Sequence, residues 1–474
     1  MAPLPPDLPP WHQRRSRQTL IAIFCCAAIA AVWLKVPHVA IAAVALLPLL
    51  AIAGLLMPFL LCLAFVAFSF FRLHEVFPQL YPLKIPQLLA IGTLGTLMVN
   101  LVFGRLQGFW TPQLSIFALF FTLVTLGVGL ATNLPQALST WTGNYVKIGI
   151  MVIAIAWLTK TERDFRLLLI VMIVCGLLVA TVTLHNKVHG LELVEGTRVT
   201  IGRSIGSVLG DPNDLSLVLL FPASFALAAM LTTGIPWWLR ITGLITFLMV
   251  LSAIVATQSR GGLLGVCAVM GIFGLHRVRS KALLITLGIA ALSILFVMAG
   301  VSGRESGGAH EEGIDESAMG RLYAWEAAIG MALHNPISGV GLDNFLSNYF
   351  AYSSHWDGMN HAVHSTWFGV LAETGFLGLI IFIAMILSIA RVARYALRVF
   401  APSSQQHDYS PILFAMAQAL QAGLAGFCVS GTFLTMGFTW PVYILLALSI
   451  ALSRAVKPEP QSLSQIENFQ SARQ

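Results

Sequence analysis

The sequence predicts an all-α integral membrane protein of about 12–14 transmembrane helices with one large polar loop. Three observations carry that prediction. Of its 474 residues, 57% are hydrophobic and only 10% charged, whereas soluble domains carry about 25% charged residues. Apolar runs long enough to cross about 30 Å of hydrocarbon recur along almost the whole chain. Most basic residues cluster at the ends of these runs.

The elements follow in order. MAPLPPDLPPWHQRRSRQ is proline-rich and then basic, and the apolar run behind it leads into more membrane without a small-residue cleavage site. Residues 1–17 are therefore expected to be a cytoplasmic tail rather than a cleavable signal. Helices 1–11 are expected within residues 18–300, near 18–34, 39–56, 58–72, 86–103, 114–131, 144–159, 166–184, 215–233, 238–256, 261–276 and 282–300. Met57-Pro58 separates two of these runs without any charge. Helices 12–14 are expected within 364–453, near 365–390, 411–432 and 438–453, before a disordered cytoplasmic tail at 454–474.

Charge fixes the expected sidedness. HQRRSRQ, KTERDFR (160–166), HRVRSK (276–281) and RVARYALR (391–398) all fall on one side of this count. The positive-inside rule makes that side the cytoplasm, with both termini in it. The segment 185–214, the turn around Gln258–Gly261 and the loop 301–363 then lie outside. The net charge of +7 is read as orientation signal, not as a nucleic-acid surface. The six cysteines all sit in apolar runs, as small core residues rather than a disulfide or metal framework.

The outer loop holds HEEGIDE (310–316) and GRLYAWEAAIGMALHNPISGVGLDNF (320–345). Arg321 to Leu333 is expected as a short amphipathic helix with Leu322, Trp325, Ala328 and Ile329 on one face. HNP breaks it and GVG makes a tight turn.

The candidate functional residues lie in or beside these outer segments. Arg260 follows a long apolar run in TQSRGG (257–262), where a charge must snorkel, pair or face an aqueous cavity. An interfacial anchor is the plain alternative, but anchoring arginines favour the cytoplasmic side. Arg203 belongs to GRSIGSVLGDPNDLS (202–216), whose Asp211-Pro212 starts a helix. Asn213 and Asp214 present polar groups at that helix end, which favours anions or is simply a capped entry. Arg321 reads either as a surface residue or as a ligand for anions. His364 reads either as an interfacial histidine or as a base. His355 and His361 nearby raise a metal site, but no HExxH is present and no carboxylate stands between His361 and His364. Glu373 lies nine residues past His364, and is expected to hold a neighbouring helix or a basic or hydroxyl partner. Three arginines and a histidine thus converge outside. Arginine forks match phosphate oxygens and histidine is a base near neutral pH, which fits a membrane-embedded phosphate donor such as a lipid diphosphate sugar.

GDPNDLS at 210–216, SRGG at 259–262, the run GRLYAWEAAIGMALHNPISGVGLDNF and the stretch HSTWFGVLAETGFLGL (364–379) occur in this order. In that combination the chain resembles the bacterial O-antigen ligase and polymerase superfamily over roughly residues 115–450. The resemblance implies a glycosyltransferase of the bacterial inner membrane that takes glycan from an undecaprenyl-diphosphate carrier at the periplasmic face. It implies His364 as the base for the acceptor hydroxyl, and Arg260 and Arg321, with Arg203 as a third, on the diphosphate. The acceptor would be lipid A–core in a ligase, a lipid-linked repeat in a polymerase, or a protein hydroxyl in related enzymes. No cofactor or metal is expected. Among binding residues, Arg203, Asn213 and Glu373 complete the expected site. A transporter of an anionic lipid or glycan is the rival from another class; it needs the arginines but not the histidine, and the internal inverted repeats common in transporters are not evident.

Overall fold

The computed structural model describes residues 57–299, 316–402 and 409–456. The expected spans near 18–34 and 39–56, the HEEGIDE run up to Asp315 and the two tails (bar its first residues, to Val456) lie outside the described residues.

Twelve apolar helices stand at the other expected places. Nine are long and apolar enough to cross a membrane among the described residues, and Pro58–Ser69, Arg260–Leu275 and Trp440–Val456 are shorter. In chain order the helices are α1 (Pro58–Ser69), α2 (Leu73–Val76), α3 (Ile85–Val102), α4 (Pro112–Gly129), α5 (Leu134–Thr140), α6 (Val146–Leu158), α7 (Glu162–His189) and α8 (Pro212–Leu231). They continue with α9 (Trp237–Thr257), α10 (Arg260–Leu275), α11 (Lys281–Met298), α12 (Glu316–His334), α13 (Phe345–Tyr352), α14 (Thr366–Val399), α15 (Pro411–Ser430) and α16 (Trp440–Val456). A two-stranded antiparallel ribbon, β1 (Leu193–Val194) and β2 (Arg198–Val199), sits between α7 and α8. This is an all-α integral membrane protein.

Local chemistry sets the helix starts. Thr111, Asp211, Ser259, Ser280, Ser365 and Ser410 each accept a hydrogen bond from a backbone N–H of the first turn, satisfying donors that the helix cannot. Proline follows Thr111, Asp211 and Ser410, where its missing N–H does no harm. Thr161 and Asp164 form a reciprocal capping box, and Gly190 ends α7 in the left-handed region at φ 66°.

Packing sorts the helices from centre to rim. α8 is the central one: 83% of its most apolar stretch is buried, against 6% for α11. α8 packs against α7, α9, α10 and α15. Lipid supplies no hydrophobic drive between helices, so close backbone approach matters. A β-carbon at Gly262 of α10 would sit 2.4 Å from Ser216 Oγ of α8. Only glycine permits that crossing. The free cysteines Cys62, Cys175, Cys267 and Cys428 are buried or half-buried in this core.

The outer-loop helix forms, and of its expected face Trp325 and Ala328 pack inward while Leu322 and Ile329 do not. Ala324, Ala327, Ala328 and Met331 are buried, while Leu322 and Ile329 are exposed. α12 lies along α14, and a stripe of alanines lets the two backbones approach where leucine and isoleucine would hold them apart.

Candidate functional site

The start of α14 is clamped from two sides. The Thr366 hydroxyl donates to the Leu434 carbonyl (2.7 Å) and accepts from the Met436 N–H (3.1 Å), while Trp367 Nε1 donates to Thr432 Oγ1 (3.2 Å). These bonds tie α14 to the turn between α15 and α16. On the other side Trp325 of α12 donates from Nε1 to the Val363 carbonyl (3.1 Å) and stacks on Phe368 at 4.9 Å. Arg321 precedes Trp325 by four residues, so the two share one face of α12.

His364 stands between these clamps. Its φ is 45°, a left-handed conformation that non-glycine residues rarely adopt and that clusters at functional sites. Its pKa lies below the ordinary value: surrounding protein desolvates the ring although part of it meets solvent, and the Arg321 guanidinium disfavours a second positive charge. Asp211 pulls the other way, and His361 adds to the lowering. Arg321, Asp211 and His361 therefore all lie within electrostatic reach of the imidazole. A neutral ring at pH 7 is a ready proton acceptor.

Arg260 borders the same turn. It is the first residue of α10, exposed, and follows the cap Ser259 and the left-handed Gln258 at φ 52°. The start of α10 rests on Ser216 of α8 and on the end of α15, where a β-carbon at Gly261 would be 3.5 Å from Phe433 Cβ. Leu434, the next residue, is the one bound by Thr366. The N-termini of α8, α10 and α14 thus gather around residues 430–436. Each carries the partial positive charge of a helix N-terminus.

The remaining expected residues are tied into the walls around this centre. Arg203 is exposed; its Nη1 donates to the Gly210 carbonyl (3.2 Å) and its N–H to Glu192 Oε2 (2.7 Å), bracing the turn that leads to Asp211. Asn213 Oδ1 accepts from Arg198 Nη2 (2.8 Å). Arg198 was not singled out in the sequence, yet it is buried and also donates from Nε to the Thr257 carbonyl (3.2 Å). It joins the ribbon, the start of α8 and the end of α9. The alternation in TRVTI would turn Val199 and Ile201 inward and Arg198 outward, so the sequence gives no hint of its burial, and in the fold both strand residues are buried.

Glu373 has a partner of another kind than a base or hydroxyl. Its Oε2 accepts from the backbone N–H of Asp343 (2.9 Å). α14 breaks at Gly375, whose φ 68° and ψ −172° are non-helical, and the N–H of Phe376 is redirected to the Pro336 carbonyl (2.8 Å). Residues 336–344 fill that break. Val340 donates to the Ala372 carbonyl (2.9 Å) and Gly341 to that of Glu373 (3.2 Å), and a β-carbon at Gly339 would lie 2.4 Å from the Ala372 oxygen. Asn344 Oδ1 then accepts from the Asn133 N–H (2.6 Å), fastening α12 and α14 to the start of α5. The motif GVGLDN is a backbone-to-backbone joint.

His355, His361 and His364 do not meet as a ligand set. His361 Nε2 contacts Asp357 Oδ2 at 2.9 Å, and His355 stacks on Tyr323 at 3.9 Å. Among the described residues no three His, Cys, Asp or Glu side chains gather to hold a metal ion.

No curated protein matches the chain. Residues 245–383 match the family model described as O-Antigen ligase, a stretch that holds Arg260, Arg321, His364 and Glu373, and the match supports the chain's place in the O-antigen ligase and polymerase superfamily of membrane glycosyltransferases.

Proposed function

We propose that this protein transfers glycan from an undecaprenyl-diphosphate donor to an acceptor hydroxyl at the periplasmic face of the bacterial inner membrane, as an O-antigen ligase does with lipid A–core. The observation that carries the reading is the neutral-leaning His364 beside Arg321 and Asp211, within the matched segment. His364 takes the proton of the acceptor hydroxyl as its oxygen attacks the anomeric carbon. The bond from that carbon to the diphosphate oxygen breaks, and the diphosphate leaves with the electron pair. Arg260 and Arg321 neutralise it, a form of electrostatic stabilisation that needs no metal. Asp211 steadies the transient imidazolium. Arg203 and Asn213 serve the donor's rim, and Glu373 keeps the joint that aims α14.

Two experiments test the reading. Alkaline phosphatase fused near residue 310 should be active, and fused near residue 400 inactive; the reverse places the site on the wrong side. Reconstituted protein should move oligosaccharide from a purified undecaprenyl-diphosphate donor to lipid A–core and release undecaprenyl diphosphate. Retention of the oligosaccharide on its carrier with every acceptor offered overturns it.

A further inference from the structure

A second basic site lies on the same end of the bundle, built by residues outside the matched segment. A cavity of about 550 Å³ is lined by Arg72, His74, Glu75, Lys84 and Lys147 among others, a size suited to a small-molecule head group. Its charges do not balance. Arg72 donates from Nε and Nη2 to Glu75 at 2.5 Å each, and Ser207 also donates to Glu75. Those bonds, with His74 alongside, hold the Glu75 carboxyl at about 2 although burial alone would raise it. The one carboxylate on the wall is therefore committed to Arg72. The ammonium groups of Lys84 and Lys147 have no hydrogen-bond or ion-pair partner among the described residues. Lys147 is half-buried and Lys84 is exposed at the edge of the cleft; a half-buried cation with a second one facing the same cavity calls for an anion.

The backbone singles out the same residues. Arg72 at φ 51° and Lys84 at φ 47° are both left-handed, and both stand at the ends of the segment that forms one wall. Such conformations persist where the surroundings impose them. The mouth of the cavity is apolar: Leu83 and Leu88 are exposed beside Lys84, at the head of α3, which faces outward along most of its length. A ligand there has a charged head and a greasy tail. Its head needs several oxygens, because the free donors come from three elements: Arg72 Nη1, Lys84 and Lys147. A phosphate or diphosphate has them and a carboxylate does not.

We propose that this cavity holds the phosphorylated head group of a membrane lipid, with the tail lying over Leu83 and Leu88 along α3. It touches the His364 site without sharing its groups. Met436, which lines it, donates its N–H to Thr366, and Val208 and Leu209 of its wall lead directly to Asp211. Two phosphate-bearing lipids fit this chemistry, a polyprenyl phosphate carrier and a phosphorylated glycolipid. The inference concerns binding and does not require the transfer reaction.

The test is local. A benzophenone side chain placed at Gln87, which lines the cavity, is irradiated in full-length protein in phosphatidylcholine nanodiscs with labelled undecaprenyl phosphate, lipid A or uncharged undecaprenol. Crosslinking to one of the phosphorylated lipids should fall at least about tenfold in the Lys84→Gln, Lys147→Gln double variant, from the loss of two charge-assisted contacts. Which of the two lipids falls identifies the source. Lys84→Arg with Lys147→Arg should retain crosslinking, and so should His364→Ala even where transfer is lost. If the double glutamine variant does not fold, each single variant should lose crosslinking at least threefold. Unchanged crosslinking of both phosphorylated lipids in the glutamine variants overturns the inference, as does undecaprenol crosslinking as strongly as they do.

Discussion

His364 and Glu373 stand nine residues apart at the start of one helix, and their surroundings differ in kind. His364 is exposed, left-handed, and faced by side-chain charges from α12, from the cap of α8 and from the loop. Glu373 is 7% exposed and bound by a backbone amide, beside a break in α14 that a loop fills. Both are ionisable groups near or in lipid, where such groups mark function by default. The difference teaches where each kind of function belongs. Chemistry sits where water and charge can arrive; the buried carboxylate ties one piece of backbone to another.

The largest expected effect breaks or keeps that contrast. General bases contribute about 10²–10⁴-fold, so His364→Ala should lose that much turnover in proteoliposomes while donor binding, measured in parallel, persists. Wild-type turnover in this variant would remove His364 from the chemistry. Next come the arginines. Arg260→Ala or Arg321→Ala should each lower transfer about 10²–10³-fold, the scale of one lost electrostatic stabiliser. Lysine should restore little, because it cannot form the bidentate fork. Full activity in either alanine variant, at normal membrane abundance, takes that arginine out of the site.

A smaller effect is expected at Glu373. Glu373→Gln keeps an oxygen for the Asp343 N–H and should cost less than about tenfold in turnover, since the amide preserves the one acceptor that this bond needs. Glu373→Ala should loosen residues 336–344 and speed their hydrogen exchange. Should Glu373→Gln damage transfer more than His364→Ala, the roles assigned to the two residues are reversed.

The two regions also differed in how far the sequence revealed them. The spans and Asp211-Pro212 as a helix start are local features, so periodicity and capping chemistry expose them. Arg260, Arg321 and His364 stand out because each is a lone polar group at a membrane boundary. The partner of Glu373 is different: a backbone amide thirty residues upstream, which carries no residue signature at all. Arg198 hides in a two-residue strand, and its role depends on α8 and α9 arriving beside it. Lys84 and Lys147 each read as ordinary helix-end cations until the fold sets them across one cavity. Leu322 and Ile329 on the expected face of α12 misled for a related reason, since helix contact here favours alanine over the larger aliphatic residues.

The smallest predicted effect separates charge from architecture at His364. Transfer needs the neutral imidazole, so its rate should rise with pH through the folded pKa and then level off. Desolvation by the surrounding protein and Arg321 hold that pKa below the ordinary value, which puts the midpoint of the rise below the usual imidazole range. Removing a cation raises a histidine pKa, so whatever activity Arg321→Ala retains should have its rising limb displaced to higher pH. Removing an anion lowers it. Asp211 is the anion, and Asp211→Asn keeps a side-chain oxygen that caps a helix about as well. Its rising limb should therefore move to lower pH, by less than the Arg321 shift, with the fold of α8 intact. Rate profiles from about pH 4.5 to 8 for the three proteins decide the matter. Opposite displacements identify His364 as the titrating base, and identical profiles would mean that the group limiting transfer titrates elsewhere.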